Sequence, residues 1–261
     1  MKVLVFTPTN PEWPHLYGRT VESIYSLNWD KPLDYLSMRG DIDVENQFER
    51  VTWKYQQGRK AFLRGDYDAM LTIEADMVVP HDALERLTKV DGDVVYGLYV
   101  LRRGMPRWCA FTEVRLGEGK SLSEDPDLAR ESWNKVIPVQ GVGMGCTLIH
   151  RHVLEEIDFR REAYEEAPCN DWYFSVDCQE KGYVQKCDLG VICGHIKAKP
   201  SPRILWPDPE ARRLYSIEFL GGEWVPVKPG ETVEVIINRV GEEPVTVFLD
   251  KEGGHAERKR I

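Results

Sequence analysis

The sequence predicts an α/β fold in which helices flank a mostly parallel central sheet, followed by a small C-terminal β appendage. Apolar, β-rich runs alternate with helical stretches through about residue 195, as expected for parallel strands covered on both faces. From Trp224 the pattern changes to two β-rich runs around Gly241. We therefore predict a main domain over residues 1–205 and an extension with a β-hairpin over residues 206–261.

Composition narrows the class of protein. The chain has 261 residues, enough to bury a substantial core. Its formal net charge of -9 argues against general nucleic-acid binding, which requires a basic face. No apolar run approaches the roughly 18 residues of a transmembrane helix, and the first residues read as a strand instead of a signal peptide. We expect a cytoplasmic protein with reduced cysteines, and peripheral membrane association stays open.

The first elements follow from short apolar runs and their boundaries. A strand is predicted at Val3–Phe6, ending at Thr7-Pro8-Thr9. A helical stretch covers residues 16–27 and a second strand covers residues 33–36. Asp43 is the candidate N-cap of the next helix, because a short side chain that accepts hydrogen bonds precedes the change to helical spacing.

Arg59 lies within the apolar stripe of that second helix. An arginine there either covers the edge of the core with its aliphatic part or points at an anion beside the sheet. The sequence pattern alone leaves both interpretations open. The residues of this stripe are spaced three, four or seven positions apart, as on one face of a helix. They are Val44, Phe48, Val51, Tyr55 and Phe62.

The most informative segment is the predicted strand Ala69–Ile73 with the two acids that follow it, Glu74 and Asp76. Residues i and i+2 share one face of a strand, so both carboxylates are expected to project together. Open α/β sheets bind ligands at this edge, and neighbouring carboxylates suit a hard divalent cation. A solvated acidic turn is the alternative interpretation.

Three later features are candidates for chemistry. Glycines at 141, 143 and 145 precede a strand, which excludes the dinucleotide-binding fingerprint and favours close approach of the backbone to a ligand. Asn170 and Asp171 start a predicted helix, where either could simply be the N-cap. His195 ends an apolar strand predicted at 191–196, and it is either a satisfied core or edge residue or a metal ligand.

Together these residues resemble the GT-A-fold glycosyltransferases, in particular the family 2-like members, over roughly residues 1–200. Glu74-Ala75-Asp76 resembles the D-x-D motif of that family, and Asn170-Asp171-Trp172-x-Phe174 resembles its E-D-x-x-F motif. Gly194-His195 resembles its terminal histidine. The sequence departs from the family at Glu74, which replaces the first acid of D-x-D, and at Asn170, which replaces the acid before the base.

The resemblance implies a Rossmann-like enzyme that moves a sugar from a nucleotide-diphosphate sugar, with UDP or GDP, to an acceptor hydroxyl. Mn²⁺ or Mg²⁺ would be held by Glu74, Asp76 and His195. Asp171 would be the general base, which fits an inverting reaction, although a retaining reaction stays open. The loop over residues 102–136, with Trp108 and Trp133, would form a wall or a lid for the acceptor. The donor would contact Thr7, Pro8, Thr9, Asp41, Arg59, Glu74, Ala75 and Gly143.

Several alternatives stay open. The acceptor could be a glycan, a lipid, a protein or a small molecule, and the chain could form a homo-oligomer. A nucleotidyltransferase would also use acids and a metal, but the segment after the first strand lacks the glycine-rich basic loop of that class. A non-catalytic nucleotide-sugar-binding protein is kept open by Glu74 and Asn170.

Overall fold

The structure is a computed structural model. It describes residues 1–9, 14–38, 42, 44, 46–101, 105–141, 143–162, 164, 167–197 and 202–220, and three further strands. The helices are α1 (Pro14–Tyr25), α2 (Gln47–Arg64), α3 (Ala83–Leu87), α4 (Pro126–Ser132), α5 (Arg151–Glu156) and α6 (Asn170–Glu180), with a 3-10 turn at Leu122–Glu124. None of the helices within these ranges is long and apolar enough to cross a bilayer.

The described strands follow the chain as β1 (Val3–Pro8), β2 (Leu33–Met38), β3 (Ala69–Ile73), β4 (Met77–Val78), β5 (Val94–Leu98), β6 (Phe111–Arg115), β7 (Glu118–Ser121) and β8 (Val136–Pro138). They continue as β9 (Cys146–His150), β10 (Gln185–Ile192), β11 (Gly194–Lys197), β12 (Arg203–Pro207), β13 (Tyr215–Phe219), β14 (Val233–Ile237), β15 (Val245–Leu249) and β16 (Glu257–Lys259).

A seven-stranded sheet in the order β2-β1-β3-β9-β5-β10-β8 forms the centre of the fold. Strands β2, β1, β3, β5 and β10 run in one direction, whereas β9 and β8 run against their neighbours. Every residue of β1, β3 and β5 is buried, as expected for strands covered on both faces. This architecture confirms the predicted fold class, a mostly parallel sheet flanked by helices.

Helix α2 packs against β1 and begins at a different cap from the predicted one. The N-cap is Asn46, whose side-chain oxygen accepts hydrogen bonds from the amides of Phe48 (2.9 Å) and Glu49 (3.4 Å). The prediction of Asp43 as N-cap is therefore wrong, and Asp43 itself lies outside the described residues. Because both are short side chains that accept hydrogen bonds, the sequence did not distinguish them.

A second sheet, in the order β13-β12-β11-β4, is antiparallel throughout. Strand β4 follows the acid pair directly, and it pairs with β11, which contains His195. The predicted domain boundary at 205/206 falls inside β12, and β12 pairs with β13 along its whole length. The chain through Leu220 therefore continues the sheet that carries His195.

The C-terminal strands form a sheet of their own. β14 and β15 pair antiparallel, as the sequence predicts, and β16 adds a third strand along β15. Within the described residues 105–136, the chain forms the β6–β7 hairpin and then α4.

Candidate active site

The acid pair lies in a turn at the carboxyl end of β3. The strand ends at Ile73, and the amide of Met77 donates a 3.0 Å hydrogen bond to the carbonyl of Glu74. The prediction that Glu74 and Asp76 share one strand face is therefore wrong, because the chain turns to enter β4. The Thr20 hydroxyl donates to the Ala75 carbonyl at 2.9 Å, so α1 helps to fix the turn.

Glu74 is held by a tyrosine from α2. The Tyr55 hydroxyl donates to Glu74 Oε1 at 3.1 Å, and the amide of Glu74 donates to the Gly145 carbonyl at 3.1 Å. Burial, followed by the negative charge of Glu74, raises the pKa of Tyr55 well above its ordinary value. The phenol therefore keeps its proton at neutral pH and acts as a donor to the carboxylate.

Asp76 faces His195 across the pairing of β4 with β11. Asp76 Oδ2 lies 3.7 Å from His195 Nε2, and both side chains are largely buried. His195 Nδ1 lies 2.7 Å from the Val100 carbonyl, which can only accept. Nδ1 therefore carries a proton, and in the neutral ring Nε2 is an acceptor that faces a carboxylate. Two acceptors that face each other in this way suit a bound cation between them.

The three predicted metal ligands do not form a complete protein shell. Within the described part of the chain, no group of three or more His, Cys, Asp or Glu side chains is arranged to hold a metal. Asp76 and His195 nevertheless fit a divalent cation, because a metal-bound histidine usually donates its other N–H to a backbone carbonyl, as His195 does to Val100. Substrate oxygens and water would have to supply the remaining ligands.

Tyr99 and Cys109 connect this pair to the glycine-rich loop. The Tyr99 ring meets the His195 ring edge to face at 5.3 Å, and its hydroxyl donates to Cys109 Sγ. The Gly143 amide donates to the same sulfur at 3.1 Å. Burial raises the pKa of Cys109 to about 12, so this group is a thiol at neutral pH and not a nucleophilic thiolate.

Gly143 is placed where a side chain would not fit. A Cβ on Gly143 would overlap the Tyr99 hydroxyl and lie 3.2 Å from Asp171 Oδ2. The close approach expected for this glycine thus brings its backbone to Asp171 and Tyr99. Whether it also contacts a donor stays a prediction.

Asp171 lies in the first turn of α6. The N-cap is Cys169, so neither Asn170 nor Asp171 occupies that position. Asp171 Oδ1 accepts a 2.9 Å hydrogen bond from the Trp172 amide, which orients the carboxylate. After burial as the main cause, the charges of Glu74 and Asp171 both contribute to raising the pKa of Tyr55 and of Tyr99. The fold therefore brings Asp171 and the acid pair to one region.

A small open cleft of about 50 Å³ lies beside Asp171. Trp108, predicted as part of the acceptor wall, does not line it. The Trp108 side chain is buried, and its indole N–H donates to the Leu214 carbonyl, while Trp133 packs against it. The cleft lining includes Leu101, Phe111, Val114, Gly143, Asp171 and Trp172.

The predicted nucleoside-binding residues lie at the carboxyl end of β1. Thr7 is buried, and its hydroxyl has no hydrogen-bond partner within the described structure. The Thr9 hydroxyl is 2.8 Å from the Ser37 hydroxyl, and the buried ammonium of Lys54 donates to the Thr9 carbonyl at 2.9 Å. Pro8 is buried between the two threonines. Asp41 lies outside the described residues.

Arg59 does not join this cluster. Its Nε donates to the Leu154 carbonyl at 2.6 Å, and a second nitrogen reaches the Glu155 carbonyl at 3.3 Å. Helix α5 begins after His150, which pairs with Ala69 at the amino end of β3. The guanidinium thus binds carbonyls in the last turn of α5, a helix that starts from the amino end of β3, whereas the acid pair follows the carboxyl end of β3.

Four side chains of this site were missed from the sequence: Lys54, Tyr55, Tyr99 and Cys109. Tyr55 was identified only as an apolar position of the helix stripe. Lys54 lies three residues after Val51, on the inward side of the same helix, and this spacing was a signal that could have been used. Tyr99 and Cys109 are brought together by tertiary structure, so no local pattern marks them.

Comparisons with known proteins show the fold. No protein-family model and no curated protein matches the chain. The crystal structure of A197 from STIV superposes with a TM-score of 0.52 at 20% sequence identity, covering 88% of this chain and 100% of that one. A glycosyltransferase involved in the glycosylation of the major capsid of PBCV-1 has a TM-score of 0.34 at 9% identity, covering 59% of this chain and 63% of that one. The first similarity shows a shared fold, and the second is too distant to support an inference.

Proposed function

We propose that this protein is a glycosyltransferase that moves a sugar from a nucleotide-diphosphate donor to an acceptor hydroxyl. The observation that carries the proposal is the facing pair of Asp76 and His195 at the carboxyl edge of the sheet, linked through Tyr99 and Gly143 to Asp171 in a cleft. Ligands of open α/β sheets bind at this edge.

The donor end is proposed to use residues on β1 and α2. Thr7 and Thr9 would line the nucleoside pocket, and Lys54 places an ammonium beside the Thr9 carbonyl. Asp76 and His195 would hold Mn²⁺ or Mg²⁺, and Tyr55 would keep the Glu74 carboxylate in position beside them. When bound, the cation would supply Lewis-acid stabilisation of the negative charge on the departing diphosphate.

Asp171 is proposed as the general base. The acceptor hydroxyl would give its proton to the carboxylate while its oxygen bonds to the anomeric carbon of the donor. The bond from that carbon to the diphosphate breaks, and its electron pair leaves with the diphosphate. General-base assistance of this kind contributes about two to four powers of ten in rate. A single base opposite the leaving group favours inversion.

The test is calorimetric titration of the protein with UDP and with GDP, with and without Mn²⁺. We expect binding that depends on Mn²⁺ in the wild type and that is lost in Asp76→Asn. Asp91→Asn is the matched control, because Asp91 is an exposed acid in the link between α3 and β5.

Each outcome has a distinct meaning. Absence of nucleotide binding under every metal condition would contradict the proposal. Binding of a nucleotide with no transfer or hydrolysis of its sugar would identify a nucleotide-sugar-binding protein. Binding of nucleoside triphosphates in preference to diphosphates would favour a nucleotidyltransferase.

A further inference from the structure

The described lining of the cleft beside Asp171 is mainly apolar, whereas a site that binds a charged donor is expected to carry cationic side chains. The apolar side chains include Leu101, Phe111 and Val114. Asp171 is the charged group among the lining residues that the structure describes. Arg107 packs over the Phe111 ring, but its charge is paired with Glu124 at 3.0 Å. Among the described residues, a ligand here therefore meets mainly apolar surface, with the Cys109 and Ser175 side chains and one carboxylate.

Two aromatic rings form one side of this cleft. The rings of Phe111 and Trp172 are 5.5 Å apart and tilted by 56°. Phe111 is buried, whereas Trp172 is only partly buried and lines the cleft. Gly119 on β7 makes room for both, because a Cβ there would lie 2.8 Å from Phe111 and 2.9 Å from Trp172. Phe111 thus supports the Trp172 ring from behind. Trp172 directly follows Asp171, the residue that carries the carboxylate.

We propose that this cleft binds the acceptor as a neutral pyranose ring that packs on Trp172 and directs one hydroxyl to Asp171. The role of that hydroxyl in transfer rests on the proposed function, whereas the binding of the ring does not. An aromatic surface beside a hydrogen-bond acceptor suits a ring with an apolar face and polar edges. An anionic acceptor would meet the Asp171 carboxylate, which disfavours it.

The cleft is small and open at the surface. Its volume of about 50 Å³ is well below the roughly 300–1,000 Å³ of sites that enclose a small molecule. A ring would therefore pack over the mouth of the cleft against Trp172, with one hydroxyl directed inward to Asp171. A lipid alcohol would need a longer apolar channel than this cleft provides.

The experiment is saturation-transfer NMR on the full chain without donor, using the methyl glycosides of glucose, galactose, mannose and N-acetylglucosamine. Glucose 6-phosphate and 1-octanol serve as the anionic and lipid-like probes. We expect the ring protons of a neutral glycoside to receive saturation. Its affinity should fall by roughly three- to tenfold in Trp172→Leu. The affinity should stay within about twofold of wild type in Trp29→Leu, which removes a tryptophan that does not line the cleft.

Two further variants keep the test decisive if Trp172→Leu loses its fold. Gly119→Ala retains the Trp172 side chain, but its added methyl group forces the Phe111 and Trp172 rings to shift, so it should also weaken glycoside binding. Trp172→Phe keeps an aromatic face and should retain more affinity than Trp172→Leu. Equal affinities in wild type and Gly119→Ala, together with equal affinities in the two Trp172 variants, would overturn the inference.

The remaining outcomes separate this inference from the proposed function. Nucleotide binding without binding of any neutral glycoside, or preferential binding of glucose 6-phosphate or octanol, would overturn the inference while leaving the transferase proposal intact. Glycoside binding that depends on Trp172, without nucleotide binding, would support the inference and contradict the proposed function.

Discussion

His195 and Asp76 face each other because β11 pairs with β4, which places His195 Nε2 3.7 Å from Asp76 Oδ2. The same pairing lets the amide of Ile196 donate to the Asp76 carbonyl at 2.7 Å. The Val100 carbonyl fixes the other nitrogen of the ring at 2.7 Å. The site thus depends on three segments that are distant in sequence, and the second sheet is part of it.

We expect His195→Gln to weaken Mn²⁺ binding in the presence of UDP by at least about tenfold, a loss seen even when only an outer partner of a metal ligand is removed. The substitution removes the imidazole that faces Asp76. The measurement is the concentration of free Mn²⁺ by electron paramagnetic resonance. His81→Gln, at an exposed histidine, should bind as the wild type does. Unchanged affinity in His195→Gln would exclude this histidine as a ligand.

Tyr55→Phe tests the support of Glu74. The phenyl ring fills the same buried space but loses the 3.1 Å hydrogen bond to the carboxylate. Because hydrogen bonds to charged groups contribute about 1.5–3 kcal/mol, we expect a loss of that size in the free energy of unfolding by urea. Tyr25→Phe, at a tyrosine that is 78% exposed, should change it by less than about 0.5 kcal/mol. Equal unfolding midpoints for Tyr55→Phe and wild type would show that the bond is not formed.

The sequence predicted the elements whose signals are local. Strand β3 was predicted with its observed bounds, since a strand covered on both faces is a continuous apolar run with a sharp end. Helix α2 was predicted from its stripe. The run from Asn170 to Phe174 was predicted to start a helix, which placed Asp171 in the first turn. Each of these features is determined within a few residues.

Features that depend on tertiary pairing were not predicted. The turn after Ile73 exists because β4 leaves the central sheet to pair with β11, which is distant in sequence. The hydrogen bond from Tyr55 to Glu74 depends on the position of α2 along β3. The contact of Arg59 with the carbonyls of α5 was not predicted for the same reason, because helical periodicity gives the face of a helix but not its height on the sheet.

Lys54 and Arg59 lie on the same helix, but their substitution should affect different properties, nucleotide binding for Lys54 and stability for Arg59. We expect Lys54→Met to weaken UDP or GDP binding by roughly five- to tenfold, about 1–1.4 kcal/mol, because it removes the ammonium beside the Thr9 carbonyl. Arg59→Met should instead lower the free energy of unfolding by about 1–2 kcal/mol through its lost bonds to α5 carbonyls. Calorimetry and urea unfolding on both variants give the comparison. A larger loss of nucleotide affinity in Arg59→Met would reverse these assignments.

Gly143→Ala tests the close approach of the loop to Tyr99 and Asp171. The added methyl group would overlap the Tyr99 hydroxyl, and overpacking of this kind costs about 1–3 kcal/mol. We expect that loss in urea unfolding, with weaker glycoside binding in the cleft. Gly18→Ala is the matched control, since nothing lies within 4 Å of its added Cβ on helix α1, and alanine there should be neutral or stabilising by up to about 1 kcal/mol. Similar effects of the two substitutions would contradict the tight packing at Gly143.

The Cys109 thiol makes a specific contribution to stability at alkaline pH. Burial raises its pKa from 9.0 to about 12. Below about pH 9 both the folded and the unfolded chain hold the proton, so the group adds no pH dependence. Between about pH 9 and pH 12 the unfolded chain loses the proton first. The free energy of unfolding therefore falls as pH rises, with a slope from this group that approaches about 1.4 kcal/mol per pH unit.

Cys109→Ala removes that titration, so its urea-unfolding free energy should fall less steeply than that of the wild type between about pH 9 and pH 10.5, by up to about 1.4 kcal/mol per unit. Val114→Ala, in the same cleft, removes packing without a titrating group. It should lower the free energy equally at every pH. A wild-type slope in Cys109→Ala would mean that the thiolate forms as readily in the fold as in the unfolded chain, and a thiolate would then be available next to Gly143 and Tyr99.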